Sequence, residues 1–503
     1  MKKTFTIILI AAFALLTISC GDLFSSLSDT KFWVLDFSKD PSEPYRINAE
    51  MLASNELCEV WVEKGSASAQ QAQNVANEYK KNIYEKMMLA FGWVDKKTGY
   101  NVMQYADALG DNNGKLIILL LDIKDGYKNS NDAYVGGYFY LLNHYPDAEV
   151  MKIGSRSNES DMIFMDTYPS AVGSKDFYAT LAHEMQHLMN FITTSLFRSV
   201  INDKNEIDEI FPMDMWIDEG LSAAAEWVYL GEADKERVMW YNEDPTGLIS
   251  KGDNFYVWEN HRESPNAVLN EYATVSIFFH WLRLQFDSDI FYDILTSPYS
   301  DYQAVEKAQD YQWSAMMRMW HAANFINDSS SNYGYKGDSL LKSVKANRLD
   351  SDAKKWNLYP GEAVYTYTSV NKTVPGNLTN INYIGMNEAS VLSSIPAGGT
   401  LLTYNVDTRY GSKGLGAASE GELTGEKPPK LPAGAKSSAN SRALNTASGP
   451  YRIDAGDILR RKGTAHSIES LNKNIKSRSS GAEVKSIPRV SREDIVRYKT
   501  SDE

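Results

Sequence analysis

With 503 residues, 43% of them hydrophobic and 12% aromatic, the chain has ample material for a packed core, and its length suggests roughly two to four folding units. A formal net charge of −14 argues against a nucleic-acid binder, which normally carries a basic footprint. The charge is uneven: residues 410–503 hold 17 Lys and Arg against 11 Asp and Glu, so an acidic body carries a mildly basic tail.

The opening "MKKTFTIILIAAFALLTISC" sets Lys2 and Lys3 before an apolar run from about Phe5 to Ile18. A membrane span takes about 20 apolar residues, so the run fits the core of a secretory signal peptide better. "LLTISC" resembles a bacterial lipobox, although Thr17 stands where leucine is usual. The resemblance implies a signal peptide over 1–19 and a lipid on Cys20 that anchors the exported protein to a bacterial membrane. An ordinary signal peptide containing a cysteine is the alternative. The other cysteine is Cys58, so a lipidated Cys20 leaves no intramolecular disulfide, and Cys58 is expected to pack as a small hydrophobe.

"KFWVLDF" (31–37) and "ELCEVWVE" (56–63) read as strands, and Ser66 opens a long amphipathic helix reaching about Trp93. "DNNG" (111–114) is a turn before the buried strand "KLIILLLDI" (115–123); "GGYFYLL" (136–142) and "DMIFMDT" (161–167) are further strands. From about 212 to 345 nearly everything reads as helix. Strands first and helices afterwards suggest an α+β domain, placed at 30–350, with a sheet lobe to about 190 and a helical lobe from 191. "AVYTYTSV" (363–370) and "GTLLTYNVDTRY" (399–410) suggest a small β region over 360–410. Residues 411–503, rich in Gly, Ser, Ala, Pro and charge, bury too little apolar surface to offset ordering entropy, and a low-complexity, mostly disordered tail is expected.

The helix "DFYATLAHEMQHLMNF" (176–191) is apolar, yet carries two of the seven histidines. Positions i and i+4 lie almost above one another on a helix, so His183 and His187 present two imidazoles on one face, as two ligands of one Zn²⁺ must be. Glu184, offset by one residue, reaches a water beside the metal and serves as general base. A chance match to this pattern in such a chain is on the order of one in a hundred. Catalytic zinc usually takes three protein ligands. "DMWIDEGLSAAAEWVYLGE" (214–232) offers Glu219, 32 residues after His187, in a helix whose small residues allow close approach. Glu226, seven residues on, shares that face and is placed to accept a hydrogen bond from a liganding histidine. The bland alternative for both glutamates is a solvated acid on a helix.

"LAHEMQHLMNF…WIDEGLSAAAEW" resembles the gluzincin metallopeptidases, most closely the hyicolysin-type neutral metalloproteases, over roughly residues 110–290. The resemblance implies a zincin-like catalytic domain, one zinc held by His183, His187 and Glu219, Glu184 as base, and Glu226 supporting a ligand. Asp218 departs from the pattern: related sequences commonly have asparagine there, and the acid adds negative charge beside the site. Gluzincin aminopeptidases carry a "GxMEN" strand, whereas the strand here reads "MIFMDT", which favours an endopeptidase acting on proteins or peptides. A Tyr or His beyond the third ligand usually steadies the oxyanion, and Tyr272 and His261 are the candidates. His144, His280, His321 and His466 read as structural or exposed. Acidic turns such as "DNNG" admit calcium, but the spacing matches no calcium loop. The alternatives are an aminopeptidase, or a non-catalytic surface lipoprotein or adhesin that keeps a peptidase-like fold.

Overall fold

"LIILLL" (116–121) has no polar residue on either side, a pattern that suits a strand covered on both faces. In the computed structural model it is an inner strand of a six-stranded mixed sheet. The structure describes residues 30–39, 42–129, 134–201, 207–252, 255, 268–350, 358, 360–408, 452–453 and 490–500. The expected signal peptide with Cys20, His261, His466 and most of the tail lie outside these residues.

The strands of the first lobe are β1 (Thr30–Asp36), β2 (Glu43–Ser54), β3 (Cys58–Glu63), β4 (Trp93–Asp95), β5 (Leu116–Leu121), β6 (Tyr134–Val135), β7 (Gly137–Phe139) and β8 (Met162–Asp166). The large sheet runs β1-β2-β3-β5-β8-β7, with β3, β5 and β8 parallel and β7 antiparallel at one edge. Side chains alternate between faces. Ile117, Leu119 and Leu121 join Phe32, Val34, Tyr138 and Phe164 on one side, while Ile118 and Leu120 join Val60, Val62, Ile163 and the helices on the other. Cys58 belongs to this second core and is fully buried, which pushes its thiol up to about 12. The sequence pattern passes over β2, because "EPYRINAEMLAS" has one β-branched residue and a broken alternation of burial.

The helix expected to begin at Ser66 is capped instead by Ser68, whose side chain pairs reciprocally with Gln71. It comprises α1 (Ala69–Glu78), a π-helical turn at Tyr79–Ile83 and α2 (Tyr84–Phe91). A short helix not anticipated, α3 (Val102–Leu109), has the same type of cap from Asn101 and Gln104. α4 (Lys175–Phe197) carries the histidine pair and is buried without a break from Phe177 to Asn190.

The second lobe is helical, as its composition predicts: α5 (Met215–Leu230), α6 (Lys235–Glu243), α7 (Val268–Phe286), α8 (Ile290–Leu295), α9 (Tyr302–Ala308) and α10 (Trp313–Ile326). The protein is thus a mixed helix-and-sheet structure, compatible with α+β. A hairpin, Ser199–Ile201 with Ile207–Ile210, precedes it. The small residues of α5 serve close packing. A Cβ on Gly220 would sit 2.1 Å from Cε2 of Phe279 on α7. Gly220→Ala gains about 1 kcal/mol of helix propensity but forces two packed helices apart. We expect a net loss of about 2 kcal/mol, read as a lower unfolding midpoint in urea; an unchanged midpoint would mean that the helices part freely.

The region expected at 360–410 begins earlier and is not set apart from the body. Its five-stranded sheet runs Arg348–Leu349, Ala363–Tyr367, Thr400–Asn405, Ile381–Met386, Val391–Leu392. Tyr365, Ile384, Met386, Leu402 and Tyr404 join the same core as the helices, and Tyr365 Oη donates to the His321 carbonyl at 2.8 Å. Within 411–503 the described residues 452–453 and 490–500 include two short strands that pair with the body. Ile495–Arg497 pairs antiparallel with β4 and Arg452–Ile453 pairs parallel with β6. Arg497 adds an ion pair to Asp289 at 2.5 Å and a bond to the Leu89 carbonyl at 3.1 Å. Local composition does not reveal this pairing, since its partner strands lie hundreds of residues away. Among the described residues, no helix is long and apolar enough to cross a membrane.

Candidate metal centre

Ser174 caps α4 by accepting from the Phe177 amide, and nine residues later the helix delivers His183 to the interior. The imidazoles of His183 and His187 lie with ring centroids 4.9 Å apart. α5 packs across them and brings in Glu219, whose Oε2 is 3.5 Å from His183 Nε2 and 3.6 Å from His187 Nε2. All three residues are buried. Tetrahedral zinc with bonds of about 2.0–2.1 Å sets its ligand atoms roughly 3.3 Å apart, close to the two distances from Glu219 to the imidazoles. Both Glu219 oxygens are buried with no hydrogen-bond donor among the described residues. That arrangement is costly in an apolar interior unless a cation resolves it. The donor set, its spacing and the bare carboxylate all fit one zinc ion.

The residues around the three explain their orientation. Glu226 Oε1 stands 2.8 Å from His183 Nδ1, two turns along α5 from Glu219. Asp218, the departure noted in the sequence, does the same for the other imidazole: its Oδ1 is 3.0 Å from His187 Nδ1. Ser222 Oγ donates to Gln186 Oε1 at 2.8 Å and lies 3.2 Å from His187 Nδ1. Each histidine therefore has a carboxylate behind it, an arrangement that fixes ring and tautomer in metal sites. The role of Asp218 escaped sequence reasoning, although a second acid beside Glu219 in so apolar a helix was a visible signal.

Two arginines lie behind these carboxylates. Arg237 Nη2 donates to Glu226 Oε1 at 2.7 Å, and its guanidinium stacks 5.0 Å from the ring of Tyr272. Arg198 Nη2 donates to Asn190 Oδ1 at 3.0 Å, and Asn190 Nδ2 donates to Asp218 Oδ1 at 2.6 Å. Burial pushes the Arg198 guanidinium down to about 9, against the opposing pull of Asp218. Glu184 sits fully buried on α4 beside His183. The structure thus gathers His183, His187, Glu219 and Glu226, and links Tyr272 to them through Arg237.

The other described histidines are outside the group that could hold a metal ion, although His280 feels the charges of Glu226 and Arg237. Burial holds His280 and His321 down to about 3, and His280 Nδ1 accepts from Arg283 Nε at 3.1 Å. His144 packs its ring 5.1 Å from Phe191. A second acidic group, Asp107, Asp111 and Asp161, flanks the "DNNG" turn. Asp111 is exposed, Asp107 half-buried and Asp161 buried, and acidic groups gather commonly without an ion.

No family model matches the chain. A similar protein is the neutral metalloprotease ShpI of Staphylococcus hyicus, 29% identical over 293 residues, which make up 56% of this chain. The match covers 58% of that relative's length. The buried His183, His187 and Glu219 form a group that could hold a metal ion.

Proposed function

We propose that the protein is an exported zinc metalloendopeptidase of the HExxH…E gluzincin type with a zincin-like catalytic core. The observation that carries the reading is the convergence of His183 Nε2, His187 Nε2 and a bare Glu219 carboxylate. Glu184, the neighbour of a ligand, takes the proton of the attacking water and delivers it to the leaving amine. When bound, zinc supplies Lewis acidity at the scissile carbonyl and acidifies water towards a pKa of about 7. Glu226 and Asp218 hold the imidazoles in place. Tyr272 is our candidate donor to the oxyanion. Tyr272→Phe keeps the ring beneath Arg237 and deletes only the hydroxyl, so a drop in kcat with zinc retained supports that role, and unchanged kcat removes it. Export and a lipid on Cys20 rest on the N-terminal pattern alone, and mass spectrometry of the mature N-terminus tests both.

The purified protein is expected to cleave a casein-type substrate internally, to stop with 1,10-phenanthroline and to recover with zinc. Release of single N-terminal residues would make it an aminopeptidase instead. Zinc bound without hydrolysis of any substrate tried would turn the reading to a binding module.

A further inference from the structure

Each imidazole of the candidate metal site ends a chain of hydrogen bonds, one starting from the buried Arg198 and the other from the partly buried Arg237. On one side, Glu226 Oε1 faces His183 Nδ1 at 2.8 Å and Arg237 Nη2 at 2.7 Å. On the other, Asp218 Oδ1 faces His187 Nδ1 at 3.0 Å and Asn190 Nδ2 at 2.6 Å, with Arg198 Nη2 on Asn190 Oδ1 at 3.0 Å.

A guanidinium has five donors and no acceptor, so it imposes one direction on every bond that follows it. Glu226 must accept from Arg237. Asn190 must turn its carbonyl to Arg198 and its amide nitrogen to Asp218. Both carboxylates are then held as acceptors, so each histidine must carry its proton on Nδ1 and leave the Nε2 lone pair facing Glu219. The arginines are themselves fixed. The side chain of Arg237 is 12% exposed, lies over the Tyr272 ring, and has its Nε 3.4 Å from Asp234. Arg198 is 3% exposed and gives its Nη1 to the carbonyls of Leu295 at 2.8 Å and Ser297 at 3.0 Å.

We propose that Arg237 and Arg198 are positioning residues that set the tautomer of His183 and His187, and thereby prepare the site for zinc before the ion arrives. The proposal rests on the metal-centre reading above. It also explains Asn190, whose amide fits only one way round between an arginine and an acid.

The test uses the full mature chain and three variants: Arg237→Met, Arg237→Lys and Asn190→Leu, the last cutting the second chain while leaving Arg198 in place. Zinc dissociation constants come from chelator competition, and ¹⁵N shifts of labelled histidine in the metal-free protein report the tautomers. Unfolding midpoints of the metal-free forms confirm folding. We expect Nδ1–H on both histidines in the wild type, zinc binding about 10- to 100-fold weaker in Arg237→Met and Asn190→Leu, and recovery of most of the loss in Arg237→Lys, which is also a donor without an acceptor. An Nε2–H tautomer in the wild type, or folded Arg237→Met and Asn190→Leu binding zinc as the wild type does, overturns the proposal and leaves the metal centre standing. A wild type that binds no zinc overturns both.

Discussion

Glu184→Gln is expected to hold zinc as the wild type does and to lose peptide hydrolysis by a factor of about 10³ or more, in line with the removal of a positioned general base. Glu184 is fully buried on α4 beside His183 but is outside the group that could hold the ion, which is His183, His187 and Glu219. An amide in its place keeps shape and volume and gives up the ability to accept a proton. Zinc content and kcat measured on the same preparation check the prediction. Full activity in a zinc-loaded variant would move the base elsewhere, whereas loss of both zinc and activity would make Glu184 part of the ion's support.

Glu219→Gln is expected to separate stability from function in the opposite sense. Without metal, the wild type buries a carboxylate whose two oxygens receive no hydrogen bond from the described residues. An unsatisfied buried polar group costs about 1–3 kcal/mol, more if charged. A glutamine amide at this position can donate towards the imidazole nitrogens that now lie 3.5 and 3.6 Å away. The metal-free variant should therefore unfold at a higher temperature than the metal-free wild type. Added zinc should reverse the order. At a free concentration of 100 times its dissociation constant it stabilises the wild type by about 2.7 kcal/mol, and it does little for a variant lacking the ligand. Thermal unfolding of both proteins with chelator and with zinc decides the matter. A variant that responds to zinc as the wild type does would remove Glu219 from the ligand set.

Much of the candidate site could be read from local spacing. A four-residue interval on a helix dictates that His183 and His187 share a face, whatever surrounds them. Glu219 and Glu226 were legible because they stand in an apolar, alanine-rich helix downstream of the His183–His187 pair. Asp218, Asn190, Arg198 and Arg237 were not. Each acts through particular hydrogen bonds that span 8 to 31 residues, and no periodicity marks such bonds. Asp218 in particular looked like a disturbance of the charge balance, and acquires a role only when α5 is laid across α4 and its carboxylate meets His187 Nδ1.

The fold divides along the same line. Strands with a strong apolar signature, such as Leu116–Leu121, and the long helices of the second lobe follow from hydrophobic pattern, because burial demands apolar faces wherever the chain places them. β2, with one β-branched residue, is a strand because β1 and β3 offer hydrogen bonds on both sides. Ile495–Arg497 is a strand because β4 leaves an edge open to it. The sequence by itself determined which residues are hidden and which pair of histidines shares a helical face, since both depend on neighbours within a turn or two. Only the tertiary structure decided which acids back the histidines, which arginines direct them and where the tail docks, because those depend on groups that meet only when separate elements pack.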